Sequence, residues 1–176
     1  MPFAYYDRLS PARKRIYRRS DAIETLDLPP EVRGGPLVAA LRAALEQDDR
    51  RAVQAAGQGL IDALTRGYRV PPIRVRVLAQ RPSDDTGELH GLYEPEDGAT
   101  PARITVWMRT AQRTQVVKFR TFLRTLVHEV CHHLDYELFE LPETFHTEGF
   151  YKRESSLAKA LLAAEAELSE PQGRLL

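Results

Sequence analysis

Cysteine is nearly missing from this 176-residue chain, which has one, Cys131. A lone thiol excludes an intrachain disulfide framework and a four-cysteine zinc ribbon, and it suits a reducing compartment. Net charge is missing too: 25 Lys and Arg balance 25 Asp and Glu. No global field therefore draws the chain to nucleic acid or an anionic membrane, and such a partner would need a local patch. No run of about 18 apolar residues exists to span a bilayer, and the basic cluster near the start follows a short mixed segment instead of preceding an apolar one. Internal repeats and low-complexity tracts are absent. The expectation is a soluble, cytoplasmic protein with no membrane partner, whose 43% hydrophobic residues build a globular core.

What is present runs as helices, then strands, then helices. Ser10 as N-cap and Pro11 at the first helical position predict a helix over 11–26, stopped by Pro29 and Pro30. From Pro36, Ala and Leu recur at helical spacing, with a break at Gln47-Asp48-Asp49 and a stop at Gly67. Ile73, Val75 and Val77 then alternate with Arg74 and Arg76, the period of a half-buried strand. Residues 88–94 supply a second strand. In a third, Ile104, Val106 and Met108 alternate with Arg103, Thr105, Trp107 and Arg109. A long helix is expected over 114–138, a break at Pro142, and a last helix over 146–168. The fold class is α+β with a roughly three-stranded sheet.

Four of the five histidines fall between Thr125 and Leu157, and His128, Glu129 and His132 spell H-E-x-x-H. At about 100° per residue, His132 lies about 40° round the helix from His128, while Phe119, Leu123, Val130 and Leu134 gather on the opposite side. The helix thus has an apolar back and a polar face carrying two imidazoles one turn apart, with Glu129 flanking that face. Two neutral imidazoles can hold Zn²⁺ while a neighbouring carboxylate takes a proton from the water it activates. A third protein ligand is needed. His133 and Cys131 point elsewhere on the helix, and Glu148 faces away from the docking stripe of the last helix. His146 shares that stripe with Phe150, Leu157 and Leu161 and is the third ligand expected, with Glu154 as the substitute.

The run "HEVCH", thirteen residues, then "HTEGF" resembles the H-E-x-x-H…H-x-x-x-F signature of the SprT-like and Spartan-like zinc metallopeptidases over residues 126–150. The resemblance implies a compact zincin-like catalytic domain over 70–170, preceded by an N-terminal helical segment over 1–69. It implies His128, His132 and His146 as zinc ligands, Glu129 as general base, and Phe150 packed under the third ligand. The cysteine-rich ribbon that often follows that domain is absent, and Gly149 stands just before the Phe where the family often has glycine just after the third His.

Other residues are candidates for supporting roles. Arg153 could reach the oxyanion of a tetrahedral intermediate, and Tyr136 and Tyr151 could donate hydrogen bonds to it. Asp135 is placed to accept the free N–H of a liganding histidine. The third strand, directly before the long helix, could be an edge along which an extended or unfolded peptide pairs. The basic run Arg13, Lys14, Arg15, Arg18 and Arg19 reads as a solvated helix face rather than a nucleic-acid site. The alternative to a zinc-dependent peptidase is a non-catalytic, zinc-stabilised interaction module, whose metal would be closed by a fourth protein ligand, with Asp135 the convenient one.

Overall fold

The Ser10 side chain accepts from the Arg13 N–H and Pro11 opens the first helix, α1 (Pro11–Asp21). A 3₁₀ turn over Ala4–Arg8 precedes it. The computed structural model describes residues 2–84, 87–88, 90–111 and 115–169. Helix α1 stops well short of the expected residue 26, and the prolines do not end it. The backbone beyond Asp21 is drawn into tertiary bonds instead: Ser20 and Ile23 carbonyls accept from Arg153, and the Leu26 N–H donates to Ser156.

The alanine-rich stretch forms α2 (Gly34–Glu46) and α3 (Arg50–Tyr68). The break falls where the two aspartates predict it. Asp48 takes a positive φ of 54°, and the Asp49 carboxylate accepts from the Arg51 and Ala52 N–H groups. Gly67 does not stop α3, which runs one residue further and caps on Arg69 in the left-handed region.

Strand β1 (Arg74–Gln80) runs parallel to β5 (Arg103–Arg109), and β4 (Gly91–Glu94) pairs antiparallel on the other side of β5. The sheet order is therefore β1-β5-β4. Two short strands, β2 (Ser83–Asp84) and β3 (Gly87–Glu88), form a separate ribbon, so the expected strand over 88–94 is split. The third strand is not an edge. It is the centre of the sheet, and Ile104 through Met108 are all buried, including Thr105 and Trp107 on the other side of the alternation. Burial of both strand faces overrides the alternating pattern.

The two sheet edges are treated differently. The outer edge of β1 is covered by α3: Gln58 and Gln54 side chains accept from the Val75 and Val77 N–H groups, and Gln58 donates to the Ile73 carbonyl. No strand among the described residues pairs with the outer edge of β4. Helix α4 (Phe119–Glu137) packs against β4 and β5; Thr114, its expected start, lies outside the described residues, and residues 115–118 are not helical, Val116 bridging Arg109 of β5 instead. Its buried Phe122, Leu123, Leu126, Val130 and Leu134 join one cluster with Leu41 of α2, Leu60 of α3, Val77 and Ile104 of the sheet, and Leu157. Each such side chain contributes roughly 1.5–3 kcal/mol by leaving water. Helix α5 (Glu148–Ser169) then packs on α1, α2 and α4. Among the described residues no helix is long and apolar enough to cross a membrane.

Candidate metal centre

The spacing of His128 and His132 puts both imidazoles on the cleft side of α4, and the loop between α4 and α5 returns a third. His146 stands two residues before α5, so it is a loop residue and not the first residue of that helix. The three Nε2 atoms converge: His128 to His146 is 3.1 Å, His146 to His132 is 3.1 Å, and His132 to His128 is 3.3 Å. These three histidines can hold a metal ion. Tetrahedral coordination at about 2.0–2.1 Å per nitrogen sets ligand atoms about 3.3–3.4 Å apart, close to the triangle observed.

Hydrogen bonding decides where the ring protons sit. His128 Nδ1 lies 2.7 Å from Glu154 Oε2. Burial would raise the Glu154 carboxyl, but hydrogen bonds from His128 and Arg124 outweigh it and hold the group below its usual range. Glu154 is therefore an acceptor, and His128 Nδ1 carries the proton. His132 Nδ1 lies 2.8 Å from Thr144 Oγ1, whose own hydrogen goes to Asp135 Oδ2 at 2.8 Å. The other Asp135 oxygen takes Arg153 at 2.6 Å, so the carboxylate accepts and Thr144 must in turn accept from His132. In the neutral ring form, both Nε2 atoms thus present lone pairs to the centre, the arrangement a cation needs.

His132 and His146 are also held toward the neutral form. Burial, reinforced by the neighbouring histidines, lowers His132 to about 3, and burial likewise lowers His146. Neutral imidazole is the ligating form. Phe150, fully buried, supports all three rings, with centroids 5.0, 4.8 and 5.3 Å from His128, His132 and His146.

Glu129 flanks the triad in a cleft of about 640 Å³ that it shares with His128, His146, Tyr151 and Gly91. Burial pushes its carboxyl up to about 7, against the pull of His128 and a hydrogen bond from the Tyr93 backbone. It sits against β4 so closely that a Cβ on Gly91 would come 2.5 Å from Glu129 Oε1 and 2.8 Å from Thr125 Cγ2. The edge strand and the carboxylate fit together only because residue 91 has no side chain.

Several supporting roles need correction. Arg153 cannot meet an oxyanion: it is fully buried, bonded to Asp135, Ser20 and the Ile23 carbonyl, with its guanidinium 5.0 Å from the Phe150 ring centre. Asp135 does not accept from a histidine directly but reaches His132 through Thr144, and with Arg153 on its other oxygen it is not a fourth ligand. Glu154 bonds the far nitrogen of His128 and so is not placed as the third ligand. His133 is engaged by the Tyr93 hydroxyl and the Pro71 carbonyl, and Cys131 is buried. Tyr151 lines the cleft, and Tyr136 lines a second pocket of about 290 Å³ that shares Gly91, His128, Glu129 and His146 with it.

Sequence reasoning missed Thr144, the Glu154 partnership and Gly91. Glu154 was within reach of it, because it follows Phe150 by one turn and shares its face; nothing in the local pattern marks Thr144 or Gly91. No family model, curated protein or solved structure matches this chain.

Proposed function

We propose that the protein is a zinc-dependent peptidase related to the SprT-like metallopeptidases. One observation carries the reading: three histidines converge beside an open cleft and a buried carboxylate, while Asp135, the convenient fourth ligand, is engaged elsewhere. A metal closed by protein on all sides would stabilise a fold, whereas three ligands with a cleft suit hydrolysis. The all-nitrogen donor set, near-tetrahedral spacing and outer hydrogen bonds to carboxylate and hydroxyl fit zinc. A bound zinc ion supplies Lewis acidity and makes water a nucleophile near neutral pH.

The chain's own residues would do the rest. Glu129, poised to about 7 by burial, takes a proton from water and returns it to the leaving amine. The open edge of β4 offers main-chain groups to an extended peptide, taking the role first expected of the central strand. Exposed Leu92 on β4 and Tyr151 across the cleft offer apolar contacts. The substrate favoured is thus an extended or unfolded segment, with loose side-chain preference. Glu129→Gln tests the assignment: zinc content should stay at about one per chain, while cleavage of an unfolded protein falls at least about 10²-fold. Near-normal turnover in that variant, or equal rates on native and unfolded forms of one protein, would count against it.

A further inference from the structure

The three ligands are not equally supported. His128 and His132 ride on α4, but His146 lies in the loop between Glu137 and Glu148, where no regular element fixes it. Few of the loop's own bonds help: the Leu141 N–H reaches the Asp135 carbonyl and the Thr147 N–H the Phe145 carbonyl. Thr144 is tied back to Asp135 and His132 of α4, and further support comes from the other end of the chain. Tyr5 donates its hydroxyl to the His146 carbonyl at 2.8 Å. Its ring stacks on Phe145 at 6.5 Å, and Tyr17 of α1 meets the same ring at 6.0 Å. Arg13 forms a two-point ion pair with Glu143 and lies 5.2 Å from the Phe145 ring centre. Beyond the ligand, the Gly149 N–H donates to the Asp21 carboxylate, and a Cβ at Gly149 would collide with the Asp21 backbone. Phe3 meets Tyr151 edge-on at 6.0 Å.

We infer that Phe3, Tyr5, Arg13, Tyr17 and Asp21 of the N-terminal segment form a clamp whose task is to hold the third metal ligand, with Tyr5 as the positioning residue. Successive residues of the segment grip residues 143, 145, 146 and 149, so the loop is pinned on both sides of His146. The clamp also explains the basic run of α1 in part: Arg13 is a loop anchor, not a free charge. Peeling the segment away would remove these partners and loosen His146 most, since His128 and His132 still ride on α4, weakening the three-ligand site. The N-terminal segment would thereby govern metal occupancy without touching the metal.

The inference rests on the metal-site reading but not on peptidase activity, so metal binding is the measurement. Zinc and cobalt affinities are compared by chelator competition for the full chain, Tyr5→Phe, a deletion of residues 2–9, exposed Arg19→Ala as the control, and His146→Ala. Tyr5→Phe should weaken binding about tenfold and the deletion about 100-fold, the range for partners that orient a ligand. The visible spectrum of the cobalt form should change in both, while Arg19→Ala matches the parent. The thermal midpoint of metal-free Tyr5→Phe should stay near that of the parent, which separates positioning from general stability. If the deletion prevents folding, Tyr5→Phe alone decides. Affinity within twofold of the parent with an unaltered cobalt spectrum in Tyr5→Phe overturns the clamp. Unchanged affinity in His146→Ala overturns the metal-site reading itself.

Discussion

His128 and His132 reach the centre from a helix, His146 from a loop, and different physics holds the two halves. One helical turn sets the first pair by itself, and each ring is then oriented by a bond from its Nδ1, to Glu154 and to Thr144. The loop ligand depends on contacts with residues more than a hundred positions away, as in Tyr5 to His146, a separation of 141. A local period can be written into a few residues; a long-range clamp requires the whole fold. The largest expected effect follows from this contrast. His132→Ala removes one of the two helical ligands and should abolish zinc binding, a loss beyond the roughly 10–100-fold that an outer partner costs. His146→Ala should bind weakly through the helical pair, with the chelator-competition curve lying between those of the parent and His132→Ala. Equal losses would show that the pair has no standing without the third ligand.

The same contrast marks what the sequence made legible. The α+β class, the helix break at Asp48 and Asp49, and the inward face of α4 all follow from short-range period and capping. The central place of β5 did not, because five consecutive buried residues with Thr105 and Trp107 among them still alternate in the sequence; only the parallel pairing with β1 explains their burial. Arg153 misled for a related reason. Its helical angle places it near His146, yet Asp135 and the Ser20 and Ile23 carbonyls draw it inward. The convergence of His128, His132 and His146 was readable as a ligand set; the proton relay through Thr144 was not, since a lone threonine in a loop carries no pattern.

Arg153 joins the two halves, and removing it should sharpen the comparison. It binds Asp135, which steadies His132 through Thr144, and it ties α5 to the end of α1. Both charges of the pair are fully buried. Replacing one partner of a buried pair strands the other, so Arg153→Met should cost about 3–5 kcal/mol in denaturant unfolding of the metal-free chain. A loss below about 1 kcal/mol, the size of a surface pair, would mean that Asp135 finds another way to be satisfied.

The smallest effect expected separates the two histidines of the helix. Thr144→Val keeps the side-chain shape but leaves His132 Nδ1–H without an acceptor and Asp135 Oδ2 without a donor, both inside the protein. Glu154→Gln leaves an amide oxygen that can still accept from His128, whose side chain is 22% exposed and can turn to water. Its main loss is the charge facing Arg124, whose own side chain is 59% exposed and can turn to water. Zinc affinity should therefore fall about 10–100-fold in Thr144→Val and by no more than about tenfold in Glu154→Gln, measured against one chelator at one pH. If Glu154→Gln is the more damaging, the charge behind His128 matters more than the buried relay behind His132, and the helical pair is tuned from α5 instead of from the loop.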